Sequence, residues 1–356
     1  MADIVSSVES GVGRLTLNRP AALHALTHDM CAAMIDALLA WRADPSVKII
    51  LIDHAGERGF CAGGDIRMLA DSGKSDGAAG RAFFHAEYRL NHLLMVYGKP
   101  IVALIDGVTM GGGVGISLPA QFRVSTERTT FSMPESGIGL FPDVGGGWHL
   151  PRLPGKLGLW LALTGARLKA ADCVEAGLAT HFVTSARLAE VRALVSAAGG
   201  AAALRDGLDK LHESPGAPIE LTAERRALID ELFSGARVED IFAALAAHPS
   251  EWAQAQLSTL KTKCPMTLKV SYRQLAAGAQ CASFAENMKM EYRLGARIIL
   301  RPDFHEGVRA VIIDKDNAPR WSPSDIKEIE AADLDAFFAP LPDAEAWTPL
   351  PELAGI

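Results

Sequence analysis

Two carboxylates stand out in an otherwise uncharged stretch of the sequence, residues 131–148. Glu135 and Asp143 lie eight positions apart among glycines, prolines and apolar residues, with no Lys or Arg in the stretch. A carboxylate is costly to bury, so it is usually solvated or paired with a cation. The stretch is therefore either a surface loop with two turn-forming acids or the carrier of an acid/base or nucleophilic pair.

Two glycine-rich turns precede this pair, FCAGGD at residues 60–65 and MGGGVGIS at residues 110–117. Neither matches the GxGxxG or P-loop patterns of nucleotide-binding folds. Glycines at a helix start leave backbone N–H groups unshielded, and two such turns facing each other could stabilise a developing oxyanion. The alternative is that these glycines only permit tight turns or close packing.

The surrounding elements place both turns between a strand and a helix. Short apolar runs predict strands at 12–18, 47–53, 101–105 and 121–127, and helical spacing predicts helices over 27–41 and 81–97. In α/β folds, ligands bind at such turns because the N–H groups at helix starts are free.

The pattern becomes mostly helical further along the chain. We expect residues 1–200 to form an α/β core and residues 201–356 to form a helical C-terminal region. Two segments are predicted to lack regular structure: the Gly- and Ser-rich residues 66–80 and the Ala- and Gly-rich residues 199–217.

The composition is that of an ordinary globular protein. The chain has 356 residues, 49% hydrophobic and 22% charged, and its net charge of -7 argues against a general nucleic-acid binder. The apolar residues 101–120 contain five glycines, Asp106 and Pro119, which predicts a buried strand and a helix start rather than a membrane span. We therefore expect neither a nucleic-acid nor a membrane partner, while a homo-oligomer remains open.

The cysteines and histidines do not form a recognisable metal or disulfide pattern. The five cysteines lie far apart without a CxxC pair, and His24 and His28 lack the glutamate of an HExxH motif. We expect no metal site. The first residues, MADIVSSVESGVGRL, resemble neither a signal peptide nor an Arg-rich leader, so the sequence predicts a cytoplasmic location.

The motifs FCAGGD, MGGGVGIS and MPESGIGLFPDVGGG, in this order and spacing, resemble the crotonase superfamily. This resemblance implies binding of acyl-CoA thioesters, with the thioester carbonyl held by the backbone N–H groups of Gly64 and Gly112. It also implies an α/β fold of the crotonase (ClpP-like) type, a spiral of ββα units with a helical C-terminal region. No cofactor is expected beyond the CoA of the substrate.

A closer resemblance is to the 3-hydroxyisobutyryl-CoA hydrolase branch of that superfamily. Its marks, besides the third motif above, are LPRLPGKLG, LALTGARLKAAD, ATHFV, CPMTLKVSYRQL and DFHEGVRAVIIDKDNAPRW. The branch implies hydrolysis of 3-hydroxyisobutyryl-CoA to the free hydroxy acid and CoA, as in valine breakdown. Glu87, in HAEYRLN, matches a position tied to substrate in this branch.

One departure from the hydratases of the superfamily bears on the reaction. Hydratases carry two glutamates; one aligns with Glu135, while the place of the other is Gly115 here, and Asp143 stands where hydratases usually have glycine. This favours hydrolysis by Glu135 and Asp143 over addition of water to a double bond. An enoyl-CoA hydratase or isomerase is the first alternative, and a non-catalytic acyl-CoA-binding protein is the second.

The phosphates of CoA require positive charge. The candidates by residue type alone are Arg19, Arg67, Lys99, Lys315 and Arg320.

Overall fold

The structure of the protein is a computed structural model that describes residues 2–353 and 355. Its strands are β1 (Ile4–Glu9), β2 (Val12–Leu17), β3 (Ile49–His54), β4 (Gly59–Cys61), β5 (Ile101–Ile105), β6 (Val108–Met110), β7 (Phe122–Ser125), β8 (Thr130–Ser132), β9 (Leu168–Lys169) and β10 (His181–Phe182). Its α-helices are α1 (His28–Ala43), α2 (Ile66–Gly73), α3 (Ala78–Met95), α4 (Gly112–Ser117), α5 (Gly146–His149), α6 (Leu157–Thr164), α7 (Ala170–Glu175), α8 (Leu188–Ala197), α9 (Ala201–Leu211), α10 (Ala223–Leu232), α11 (Val238–Ala247), α12 (Glu251–Lys261), α13 (Pro265–Gly278), α14 (Phe284–Ile298), α15 (Pro302–Val308) and α16 (Ala331–Phe338). Short 3₁₀ helices cover Pro20–Ala22, Glu135–Ile138, Leu150–Arg152, Ser185–Arg187, Ile326–Glu328, Asp343–Glu345 and Pro351–Leu353, and a π-helical turn covers Arg309–Ile313.

The strands within the described residues form two sheets. The larger sheet has the order β1-β2-β3-β5-β7-β10, and the smaller sheet has the order β4-β6-β8-β9. Strands pair in parallel except at one edge of each sheet, where β1 lies antiparallel to β2 and β9 lies antiparallel to β8.

The connectivity repeats along the chain. Strands β3, β5 and β7 enter the larger sheet, and each is followed at once by a strand of the smaller sheet, β4, β6 or β8. Helices α2 and α3 follow β4, helix α4 follows β6, and the 3₁₀ helix Glu135–Ile138 follows β8. This succession of ββα units confirms the predicted spiral.

Local sequence signals explain the first elements. The hydroxyl of Thr27 accepts the N–H of Met30 at 3.2 Å and so caps α1. Met34, Leu38 and Trp41 on one face of α1 are buried, and each large buried side chain contributes roughly 1.5–3 kcal/mol. Every residue of β3 is buried, as expected of a strand inside a parallel sheet covered on both faces.

The C-terminal helices pack against the α/β part of the chain. Helix α14 lies against α3, and α13 lies against α5 and α6. One hydrophobic cluster includes residues from Ile4 to Leu353 and thus joins the two parts. The predicted division at residue 200 stays a prediction.

Two segments predicted to be irregular are largely helical, so those predictions are wrong for Ile66–Gly73 and Ala201–Leu211. Helix α2 begins after Asp65, whose carboxylate accepts the N–H of Met68 at 3.3 Å, and it buries Leu69. Helix α9 buries Leu204 and Leu208 in a cluster that covers one face of the larger sheet. In both cases an apolar face is buried, and the Ala, Leu, Met and Arg residues of these helices have favourable helix propensity despite the neighbouring glycines.

The apolar residues 101–120 fold as β5, β6 and α4. The strand at Ile101–Ile105 and the helix start were predicted, whereas β6 was not. Within the described residues, none of the helices combines the length and the apolar character needed to cross a bilayer.

Candidate active site

The two glycine turns lie side by side because β4 and β6 are parallel neighbours in the smaller sheet. Gly64 and Gly112 follow the carboxyl ends of these strands. The turns are in contact: a Cβ added to Gly111 would lie 3.2 Å from the Cα of Gly63. Gly111 has a φ of +48°, in the left-handed region that favours glycine.

The N–H groups of Gly64 and Gly112 are available to a ligand. Gly112 opens helix α4, where the first N–H groups have no intrahelical acceptor. Among the described residues, neither amide donates a hydrogen bond, and both glycines line one cavity of about 530 Å³. Two free donors on one cavity wall have the form of an oxyanion hole.

Glu135 and Asp143 reach the same cavity from the stretch that follows β8. Glu135 opens the 3₁₀ helix Glu135–Ile138, and Asp143 lies in the loop before α5. Both side chains line the cavity and both residues are only 4% exposed. The surface-loop interpretation of the stretch is therefore wrong.

Glu87 joins them from helix α3. Its residue is buried, and it lines the cavity beside the glycine turns. A Cβ added to Gly112 would lie 2.5 Å from the Glu87 Oε1 atom, so glycine at this position makes room for the carboxyl group. We refer to Glu87, Glu135 and Asp143 as the cavity acids.

The electrostatics of the cavity acids follow from burial without a paired cation. Burial, and then the Asp143 charge, raise the pKa of Glu135 well above the usual range, and burial raises the pKa of Glu87 in the same way with further contributions from Asp143 and Glu135. Burial raises the pKa of Asp143 to about 7. Carboxyl groups with raised pKa values in a cleft are typical of sites that perform acid/base chemistry.

The surroundings of Gly115 show why no glutamate acts there. A Cβ on this residue would lie 2.5 Å from the Cβ of Val144 and 2.8 Å from the Nδ2 of Asn91. Val144 directly follows Asp143 in the chain. Val144, the neighbour of Asp143, thus fills the space that a side chain at position 115 would require.

Three residues of the site were not predicted from the sequence: Tyr88, which contacts a cavity acid, and the cavity-lining Arg167 and Lys263. Tyr88 donates its hydroxyl to the Asp143 Oδ2 at 2.8 Å, which opposes the rise in the pKa of Asp143. Arg167 and Lys263 line the cavity, and burial lowers the pKa of Lys263. The only available signal for Tyr88 was its place beside Glu87, and none pointed to the two cations.

The five basic residues predicted as candidates for the CoA phosphates differ in their surroundings. The Nζ of Lys99 donates to the carbonyls of Trp41 and Asp44 at 2.5 and 2.6 Å, and Arg19 pairs with Asp65. The charged groups of Lys99 and Arg19 are thus already bonded within the protein.

Arg67 lies beside the cavity. It donates to the carbonyl of Ile312, a cavity residue, at 3.2 Å. Lys315 and Arg320 belong to the segment that also supplies Asn317 and Pro319 to the cavity wall.

His24 and His28 do not come together with other ligands. Within residues 2–353 and 355, no group of three or more His, Cys, Asp or Glu side chains is arranged to hold a metal ion. The expectations that the chain needs no metal and no cofactor stay predictions.

Comparison with known proteins agrees with this geometry. The family described as "Enoyl-CoA hydratase/isomerase" matches residues 12–338. The chain belongs to this family, which confirms the predicted crotonase superfamily.

Curated relatives lie in the predicted branch. The chain is 43% identical over 347 residues to the mitochondrial 3-hydroxyisobutyryl-CoA hydrolase of Gallus gallus, covering 96% of this chain and 89% of the relative. It is 46% identical over 339 residues to the protein of that name from Danio rerio (94% and 88% covered) and 44% identical over 334 residues to that from Homo sapiens (92% and 86% covered).

Solved structures confirm the fold but carry other names. A structure titled carnitinyl-CoA dehydratase from Mycobacterium thermoresistibile has a TM-score of 0.90 at 41% identity, covering 96% of this chain and 97% of that one. A structure titled enoyl-CoA hydratase from Rhodobacter sphaeroides 2.4.1 has a TM-score of 0.88 at 38% identity, covering 98% and 100%. These titles and the curated names assign different reactions to similar chains.

The predicted cytoplasmic location is contradicted by the curated relatives. Their names place them in mitochondria. The prediction depended on the composition of the first residues, MADIVSSVESGVGRL, which was not a sufficient guide to location.

Proposed function

We propose that the protein is a thioester hydrolase that converts 3-hydroxyisobutyryl-CoA and water to 3-hydroxyisobutyrate and CoA. The curated relatives at 43–46% identity bear the name of this activity. The cavity contains what thioester hydrolysis requires: two free amide donors and a buried carboxyl group beside them.

One observation carries the choice of hydrolysis over hydration. Val144 and Asn91 occupy the space around Gly115, while Asp143 enters the cavity from another direction. Addition of water across a double bond by the two-glutamate mechanism needs a carboxyl group at position 115. This chain instead supplies Glu135 with an aspartate partner.

The proposed chemistry begins at the thioester carbonyl. The N–H groups of Gly64 and Gly112 donate to its oxygen as negative charge develops, and loss of one such donor typically costs about 2.7–4 kcal/mol. Attack on the carbonyl carbon then breaks the C–S bond, and the CoA thiolate leaves.

Glu135 is the proposed attacking group, by one of two routes. Its carboxylate either adds to the carbonyl carbon, giving an anhydride that water then cleaves, or accepts a proton from the water that attacks. A single turnover in ¹⁸O-labelled water tests for the anhydride, because its cleavage at the Glu135 carbonyl leaves label in the enzyme. Label found only in the released acid shows that water attacks the substrate acyl carbon, either directly or in the anhydride.

Asp143 is proposed to orient the attacking water or the substrate hydroxyl group. The Tyr88 hydroxyl fixes one carboxyl oxygen of Asp143 and leaves the other free to face the cavity. Arg167 and Lys263 are the proposed cations for the phosphate-bearing part of the substrate, since both line the cavity wall.

The test is release of free thiol across a panel of acyl-CoA thioesters with short branched, hydroxylated and straight acyl groups. We expect turnover to be highest with 3-hydroxyisobutyryl-CoA. Failure of the purified protein to release thiol from any member of the panel would contradict the proposal.

The second candidate function is hydration of an enoyl-CoA, which the titles of the two solved structures described above, a carnitinyl-CoA dehydratase and an enoyl-CoA hydratase, favour. Loss of the enoyl absorbance of crotonyl-CoA, measured beside thiol release, separates the two reactions. Binding without turnover on either substrate would support the acyl-CoA-binding alternative.

A further inference from the structure

A fourth buried acid lies behind the cavity and takes no part in the proposed chemistry. Glu291 of helix α14 is fully buried and does not line the cavity. Its Oε2 atom accepts the N–H of Gly145 at 2.7 Å, and its Oε1 atom accepts the N–H of Gly147 at 2.8 Å. Both glycines belong to the turn that directly follows Asp143.

The other donors around Glu291 complete an anchor for the same loop. Asn287 and Gln274 donate to the Glu291 Oε1 atom at 2.8 and 3.2 Å. Gln274 also donates to the carbonyl of Pro142, the residue before Asp143, at 2.7 Å. Helices α13 and α14 therefore hold the backbone on both sides of Asp143.

The loop needs such an anchor because its backbone is strained. Val144 is a β-branched residue with a φ of +51°, a conformation that costs on the order of 1–3 kcal/mol and persists only where neighbouring contacts enforce it. The backbone at Val144 sets the direction of the adjacent Asp143 side chain. The contact between the loop and helix α14 also requires glycine at position 147, because a Cβ there would lie 2.6 Å from the Asn287 Oδ1 atom.

We infer that Glu291 is a positioning residue that holds the Asp143 loop, so that the C-terminal helices set the geometry of the carboxyl pair. The inference rests on the proposed function in so far as its kinetic readout is thioester hydrolysis. Glu291 does not line the cavity, so its hydrogen bonds to the loop are the contacts through which it positions Asp143, while its charge contributes to the raised pKa of Glu135.

The kinetic test is Glu291→Gln, which keeps the shape of the side chain but turns an N–H donor toward an N–H group of the loop. A displacement of about 1 Å at a reacting group can reduce the rate a hundredfold. We expect kcat to fall roughly tenfold to a hundredfold, with KM within about threefold of wild type.

Asp172 provides a matched control. It is also fully buried, and its Oδ1 atom accepts the N–H groups of Glu220 and Leu221, both at 2.9 Å, away from the cavity. Asp172→Asn makes the same chemical change and should lower the melting temperature to a similar extent while kcat stays within about twofold. Equal kcat values for the two variants would overturn the inference.

A double-mutant cycle tests whether Glu291 acts through Asp143. In the Asp143→Asn background, we expect Glu291→Gln to reduce kcat by less than about threefold, because the group it positions is already lost. Losses that multiply in the double variant would instead indicate a general structural role and contradict the inference.

Amide hydrogen exchange tests the anchor without any assay of turnover. We expect the Gly145 and Gly147 amides to exchange at least about tenfold faster in Glu291→Gln than in wild type, and to keep their wild-type rates in Asp172→Asn. Unchanged rates in Glu291→Gln overturn the inference. A wild-type protein that hydrolyses no thioester contradicts the proposed function instead, and the exchange result still decides the role of Glu291.

Gln274→Met is the second variant if Glu291→Gln does not fold. It removes the donors to Pro142 and Glu291 while it preserves side-chain length. We expect a loss in kcat of about threefold to tenfold that again disappears in the Asp143→Asn background. A loss that persists there would contradict the inference.

Discussion

Buried carboxylates occur in two regions of this molecule with opposite surroundings. On the larger sheet, Asp53 accepts hydrogen bonds from Arg14, Arg192 and Thr16, with the two arginines at 2.7 and 2.9 Å from its Oδ2 atom. The nearby Asp106 accepts hydrogen bonds from Arg128 and Thr126. We refer to Asp53 and Asp106 as the paired acids.

The cavity acids have no such partners. Within the described residues, none of them forms an ion pair with Arg or Lys, and one oxygen each of Glu87 and Glu135 is buried without a hydrogen-bond partner. An unpaired buried carboxylate is unfavourable for folding, so its retention indicates a role in chemistry. The difference separates acids that stabilise the sheet from acids that are available to a substrate.

The largest expected difference is in turnover. Glu135→Gln should lower kcat for thiol release at least about a hundredfold, the usual size for a lost acid/base group. Asp53→Asn, the same change in a paired acid, should leave kcat within about twofold, because Asp53 does not line the cavity. A Glu135→Gln variant with near-normal thiol release would remove the distinction between the two regions.

The same two variants should change stability in opposite directions. The pKa of Glu135 is raised in the folded protein, so its contribution to stability is present at low pH and is lost as the pH rises through that pKa. Glu135→Gln should therefore raise the unfolding free energy at pH 8 by on the order of 1–3 kcal/mol and give no gain near pH 4.

For Asp53→Asn we expect a loss of about 1–3 kcal/mol, since Arg14 and Arg192 lose their charged partner but remain partly exposed. Chemical denaturation at the two pH values measures both effects. If Glu135→Gln is destabilised at pH 8, burial of the ionised Glu135 does not lower the unfolding free energy of the wild type.

The third prediction concerns the pH dependence of turnover. Burial raises the pKa values of the cavity acids, and the Asp143 charge raises the pKa of Glu135 further. The decrease of kcat/KM toward low pH, its acid limb, should therefore begin well above the usual carboxyl range, with the pKa of Asp143 at about 7. Asp143→Asn removes a negative neighbour of Glu135, so the acid limb of the residual activity should move down by about one unit. Profiles of kcat/KM from pH 5 to 9 test this, with Asp53→Asn as the variant that keeps the wild-type limb.

The smallest effect is expected at Tyr88. Tyr88→Phe removes the hydroxyl that donates to Asp143 and that opposes the rise in its pKa. The acid limb should then move to higher pH, and kcat should fall by about threefold to tenfold. An acid limb that moves down, or does not move, would show that this hydrogen bond does not control Asp143.

Local sequence was sufficient for the elements whose signals are short-range. The helix that follows Thr27 and the strand at Ile101–Ile105 were predicted because a capping hydroxyl and an uninterrupted apolar run act within a few residues. The helices α2 and α9 were missed for the converse reason. The Gly and Ser residues around them are typical of loops, and the burial of Leu69 and Leu204 against distant parts of the chain is not visible in the local sequence.

The sequence by itself determined the chemical groups of the candidate site. The glycine turns, Glu135 and Asp143 belong to short motifs in which residue type and spacing suffice to place free N–H groups and carboxyl groups at strand ends. The absence of a side chain at Gly115 was equally visible, and it pointed toward hydrolysis.

Only the tertiary structure decided how these groups meet. It brings Tyr88 to Asp143 across 55 positions and Glu291 to Gly145 across 146 positions, and it closes the space beside Gly115 with Val144. Contacts over such separations depend on the packing of α3 and α14 rather than on local preference. The pKa of each cavity acid depends on the same packing, because burial and neighbouring charge do not exist until the chain is folded.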